Sequence, residues 1–151
     1  MKATVIILTV LLLAINLGCK KETEQKAPEE AATKFPAPDW KVDETGRYPA
    51  TMTAVVTLPD GMHGSISEND QLAAFVSEDC RGIASVVKVG SVNVYFLMIR
   101  GLADEQSKII FKYYSAKAGY LFQSAPIVNF LVDDVYGTAQ NPKVLSVTQV
   151  K

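Results

Sequence analysis

Residues 50–58 read ATMTAVVTL, and in them Met52, Ala54, Val56 and Leu58 alternate with Thr51, Thr53, Val55 and Thr57. An apolar side chain at every second position, among β-branched neighbours, predicts a half-buried strand. Pro59-Asp60-Gly61 ends it with turn chemistry. The pattern recurs along the chain. Apolar runs at residues 72–76, 83–89, 92–99, 109–114, 120–123, 127–132 and 144–150 are separated by polar or glycine breaks such as Ser67-Glu68-Asn69-Asp70, Ser77-Glu78-Asp79 and Gly90-Ser91. No segment carries a sustained helical period, and residues 102–107 leave room for one helical turn at most. Eight or so short strands with regularly spaced turns predict an all-β fold. The apolar strands point to a two-sheet antiparallel β-sandwich, Ig-like in kind, with its sheets face to face.

The N-terminus follows different rules. Lys2 opens the chain, and an apolar run over residues 3–17 is interrupted only by Thr4, Thr9 and Asn16. That run is short of the roughly 20 residues a membrane span requires, and its charged start fits a secretory signal peptide over residues 1–18. It ends in Asn16-Leu17-Gly18-Cys19, which resembles the lipobox of bacterial lipoproteins. Gly18 matches the small residue expected before the cysteine, while Asn16 and Leu17 depart from the usual pattern. The resemblance implies cleavage before Cys19 and acylation of its sulfur and freed amine. It places the protein at the cell envelope, lipid-anchored in the outer membrane on its periplasmic or surface side. Each buried methylene contributes about 0.8 kcal/mol, so two or more acyl chains hold stably where one does not.

Residues 19–38 carry the lipidated cysteine and a tether rich in Lys, Glu, Ala and Pro, with Phe35 as its only large apolar side chain. Such a segment buries too little surface to offset the entropy of ordering and reads as a flexible spacer. Its charges close behind Cys19 also resemble export signals of surface lipoproteins in the Bacteroidota.

The remainder, residues 39–151, has the length of one domain and can bury roughly two-thirds of its unfolded surface. The net charge is −1 and the basic residues are scattered, so no nucleic-acid partner is expected. With Cys19 lipidated, Cys80 has no partner in the chain. It reads as a small buried apolar residue, the alternatives being intermolecular pairing or a thiol made reactive by the neighbouring Arg81.

Within the domain, Asp70 precedes Ala73-Ala74-Phe75-Val76, the acidic turn Glu78-Asp79 and then Cys80-Arg81-Gly82. This order resembles a small β-domain of exported and surface proteins of the Bacteroidota. Residues 95–99 and 137–142 are similar to its later strand and closing loop. The resemblance implies a β-sandwich module and no enzymatic activity.

Catalytic signatures are sparse. His63 is the only histidine and reads as an exposed loop residue, with no nucleophile beside it in sequence. Glu68, Asn69, Asp70, Asp79, Asp133 and Asp134 read first as turn-formers; calcium ligation is the alternative, without EF-hand spacing. No cofactor is expected. Trp40, Tyr114 and Tyr136 are the candidate ligand contacts, because aromatic side chains stack on sugars and partners when exposed. Tyr113 and Tyr114 are neighbours on one strand and face opposite sides. The expected function is a non-catalytic binding or adhesion module at the envelope, its partner a glycan or an envelope protein. The alternative is a structural or assembly subunit of an envelope complex.

Overall fold

The structure is a computed structural model that describes residues 32–151. The signal peptide of residues 1–18, Cys19 and the first part of the tether lie outside the described residues. Among the described residues no helix is long and apolar enough to cross a membrane.

Among the described residues eleven strands follow in order: β1 (Ala50–Thr57), β2 (Gln71–Val76), β3 (Asp79–Ile83), β4 (Ser85–Val89), β5 (Val92–Gly101), β6 (Lys108–Ser115), β7 (Tyr120–Ser124), β8 (Val128–Asn129), β9 (Val135–Tyr136), β10 (Lys143–Val144) and β11 (Val147–Gln149). They build two sheets in a sandwich. The β1 sheet runs β10-β1-β5-β4, with β9 also paired to β1. The β6 sheet runs β11-β7-β6-β2-β3, with β8 paired to β6. Pairing is antiparallel except for β9 and β10, which lie parallel to β1.

The two-residue repeat sets the core. Met52, Ala54, Val56 and Leu58 meet Tyr95, Leu97 and Ile99 on one side, and Leu72, Ala74, Val76, Ile109, Phe111 and Tyr113 close from the other. Burying one such large side chain contributes about 1.5–3 kcal/mol.

The structure corrects several expected elements. The run predicted at 83–89 is two strands, because the chain changes sheets at Ala84. Ile83 pairs with Ala73 in one sheet and Ser85 with Phe96 in the other. Gly82 permits that crossing, since a Cβ there would lie 2.6 Å from the Met98 carbonyl oxygen. The run at 127–132 shrinks to β8, beyond which the Phe130 N–H donates to the Ser107 carbonyl at 2.8 Å and its side chain is fully buried. The run at 144–150 is broken at Leu145, whose N–H donates to the Thr57 carbonyl at 2.8 Å while its side chain enters the core. Asp60–Ser65 folds into a 3-10 helix in place of an open loop.

Order also begins earlier than Asp39. The Phe35 N–H donates to the Gly119 carbonyl at 2.8 Å, and the Pro38 carbonyl accepts from Gln71 Nε2 at 3.3 Å. Residues 35–40 are therefore a strap across the outward face of the β6 sheet.

Candidate functional site

The end of the strap and the residues after it form one wall of a groove. Trp40, Lys41, Val42 and Glu44 line this wall. The opposite wall is the outward face of the β1 sheet, where Phe96, Met98 and Arg100 alternate along β5 and meet Ile83 and Ser85 at the corner. The groove encloses about 590 Å³. Its lining is mixed: Met98 is 61% exposed and Ile83 42% exposed, and Lys41, Glu44 and Arg100 supply charge beside them. Val55 and Val94 on the same sheet face are buried, so the opening is local.

Trp40 is fixed in place by its far side. Its ring meets Phe75 edge-on, with centroids 5.5 Å apart, and Lys112 Nζ lies 4.5 Å from the centre of the same Phe75 ring. Phe75 is 3% exposed, so the tryptophan rests on a packed platform, from which it lines both the groove and a smaller cavity beside Tyr114. An aromatic held this way loses little freedom when a ligand stacks on it.

A buried ion pair secures the corner beneath. Val76 pairs with Asp79 and Phe75 with Cys80, but Ala74 pairs with Gly82, which leaves Arg81 as the extra residue of a bulge. Its guanidinium turns inward. Nη1 and Nη2 donate to the two oxygens of Glu105 at 3.0 and 3.2 Å, and Nη1 also donates to the Arg100 carbonyl at 3.3 Å. The two side chains are 5% and 9% exposed. The Tyr48 ring stacks 3.4 Å from the guanidinium carbon, and its hydroxyl donates to Asp79 at 2.7 Å. Burial alone would raise the Glu105 carboxyl; the Leu102 N–H and the Arg81 guanidinium outweigh it and hold the group below the ordinary carboxylate range.

The other candidates are placed elsewhere. Tyr114 is 6% exposed and lies under the strap, its hydroxyl donating to the Phe35 carbonyl at 3.3 Å. It faces a smaller cavity of about 340 Å³ shared with Phe35, Pro38 and Leu121. Tyr136 packs half-buried on the core from β9, and burial pushes its hydroxyl pKa up. Of the three aromatics only Trp40 reaches the groove.

His63 is not an exposed loop residue. It sits in the 3-10 helix, its side chain 17% exposed and Nε2 2.9 Å from the Leu58 carbonyl oxygen. Cys80 is a free, half-buried thiol. Burial raises its pKa, with a backbone hydrogen bond from Gly82 and the Lys112 charge opposing, and Arg81 is committed to Glu105. The acidic loop residues are not gathered. Asp70 accepts from the N–H groups of Ser67 and Ala116 and from the Tyr113 hydroxyl, and Asp133 sits with φ at 59° in the turn before β9. Among the described residues no group of three or more His, Cys, Asp or Glu side chains is arranged to hold a metal ion.

Sequence reasoning missed Phe96, Met98 and Ile83 as groove residues. The outward parity of Phe96 and Met98 is readable from Leu97 and Ile99; the place of Ile83 beside them depends on a sheet change at Ala84 that leaves no periodic signal. Comparison with protein-family models, curated proteins and solved structures finds no match to the chain.

Proposed function

We propose that the chain is a non-catalytic binding module of the bacterial cell envelope, anchored through lipid on Cys19 and engaging a glycan or an envelope protein through the Trp40 groove. The observation that carries this reading is the groove itself: a platform-mounted tryptophan facing exposed Met98 and Ile83, with charged residues of both signs around them. Fixed aromatics with apolar neighbours and few polar groups are what ligand sites are made of. Two of the carboxylates are held structurally, Glu105 on Arg81 and Asp70 on three donors. The lipobox-like Gly18-Cys19 supports the anchor.

The test joins both halves. The full-length chain should fractionate with membranes, and Cys19→Ser should release it. Its thermal midpoint, followed against glycans and envelope extracts, should rise with one class, since a ligand of the folded state at a hundred times its Kd adds about 2.7 kcal/mol. Trp40→Ala should remove that rise. A membrane-bound Cys19→Ser would refute the anchor, and a flat midpoint throughout would refute the groove.

The assembly reading has one observation in its favour. Every residue of β4 is exposed, and β4 is a free edge of the β1 sheet carrying Val86, Val87 and Val89. Open apolar edges accept strands from partners. Co-purification of a stoichiometric partner, lost in Val87→Lys, would favour it.

A further inference from the structure

The chain enters the domain at a definite end of the sandwich. The Phe35 N–H donates to the Gly119 carbonyl at 2.8 Å, in the turn between β6 and β7. That turn is tied to the loop before β2, because the Ala116 N–H donates to Asp70 at 2.8 Å. The same loop faces the β4–β5 hairpin, where Glu68 and Asp70 share a cleft with Val86, Lys88 and Asn93. The entry point and the hairpin tip at Gly90-Ser91 therefore lie at one end. The turn before β9 lies at the other. There the Asp133 N–H donates to the Thr51 carbonyl at 2.8 Å, and Thr51 pairs with Arg100 at the far end of β5.

The two ends are chemically unlike. Residues 85–91 are all exposed, and Val86, Val87 and Val89 are each about half open to solvent. Register puts Val86 on the face shared with Tyr95, and Val87 and Val89 on the face shared with Val94 and Val92, so the tip is apolar on both sides. No acidic residue occurs from position 80 to position 103, and Lys88 is the one charge of the tip. Exposed Lys34 and Lys117 flank the entry point, against Asp60 and Glu68 at this end. At the far end, exposed Leu131 and Val132 run straight into Asp133-Asp134, and exposed Leu102 is closely followed by Asp104.

We infer that the β4–β5 tip is a second membrane contact, resting on a phospholipid surface on the side from which the tether arrives. This deepens the proposed function and rests on its Cys19 anchor. Contiguous exposed apolar side chains mark contact sites. Residues 20–34 join Cys19 to Phe35, so an anchored chain has this end closest to its attachment. Tethering makes the second contact intramolecular, and a contact too weak to hold the free protein is then populated. Lys88 favours lipid over a partner strand. A lysine within an exposed edge discourages strand addition, whereas at a bilayer its stem lies along the apolar region and its ammonium reaches the headgroups. The groove residues Phe96, Met98 and Arg100 follow along β5 away from the tip, which turns the Trp40 groove from the membrane toward partners.

The test uses full-length protein purified from membranes, with intact mass reading the acyl chains on Cys19. In a Trp40→Phe background, a fluorophore is placed at the tip by Val89→Trp or at the far end by Val132→Trp. Each protein is reconstituted in vesicles of phosphatidylethanolamine and phosphatidylglycerol that include lipids brominated on their acyl chains. Bromine quenches tryptophan only at close range. The Val89→Trp protein should lose most of its emission and the Val132→Trp protein almost none. Adding Val87→Asp to the first should restore its emission while the protein stays folded by circular dichroism. Equal quenching at the two positions, or none at position 89 in acylated protein, would overturn the contact and leave the anchor standing. Unquenched emission with slowed amide exchange along β4 would assign the edge to an added strand and overturn it as well. An unmodified Cys19 would refute the anchor and this inference with it.

Discussion

The β6 sheet turns Phe75 and Tyr114 outward, and the β1 sheet turns Phe96 and Met98 outward. Phe75 and Tyr114 end 3% and 6% exposed, whereas Met98 stays 61% exposed. The difference is the strap. Residues 35–40 lie over the first pair and stop at the corner, where Trp40 has one side on Phe75 and the other in the groove. Of the ten exposed large apolar side chains among the described residues, six are on strands of the β1 sheet and none on β2, β6, β7, β8 or β11. Equal patterning thus yields a structural face and a face left for contact. The determinant is a short segment that covers one and not the other.

That contrast can be broken experimentally. Phe75→Ala removes the platform under Trp40 and should cost about 3–5 kcal/mol in denaturant unfolding. Its strap should loosen, seen as faster amide exchange at Phe35. A loss below 1 kcal/mol would mean that the strap does not cover a true core.

Arg81→Ala tests the corner that separates the faces. Removing one partner of a buried pair leaves the Glu105 charge uncompensated and should cost about 3 kcal/mol. The pair also carries a pH signature. Glu105 is held below its ordinary value, so its contribution is complete above the unfolded value of about 4.3 and is lost as pH falls through the lower folded value. The stability gap between wild type and Glu105→Gln should therefore narrow in acid and be constant near neutrality. A gap that widens in acid would contradict the assignment.

Tyr114→Phe deletes only the hydroxyl bond to the Phe35 carbonyl and should cost about 0.5–1.5 kcal/mol. The smallest effect belongs to the open face. Met98→Ser should change stability by no more than about 0.5 kcal/mol while weakening whatever ligand the groove holds. Similar losses for Phe75→Ala and Met98→Ser would erase the distinction between the faces.

Much of this fold is legible in the sequence. The alternation in β1 named its inward residues, and the parity of Tyr113 and Tyr114 was right. Both tyrosines are nonetheless buried, because the strap, whose composition reads as tether, covers Tyr114. Its prolines explain the error. Pro36 and Pro38 lack N–H groups and cannot join a ladder, yet they suit a cover that asks the sheet for few partners. The carbonyls of Phe35 and Pro38 instead accept from Tyr114 and Gln71. The Cys-Arg-Gly triplet was conspicuous, but its purpose was not. Arg81 finds Glu105 24 positions away through a bulge, and Gly82 is small because β5 passes beside it. Contacts set by a sheet crossing have no period to read. Trp40 was singled out for its chemistry, and its place in the groove follows from the strap.

The most direct test of the account places a photo-crosslinking benzoylphenylalanine in the full-length protein in cells, at Met98 on the open face or at exposed Lys117 in the turn beside the strap. A discrete adduct is expected from position 98, absent from position 117 and abolished by Trp40→Ala. Equal adducts from both positions, or none from position 98, would contradict it.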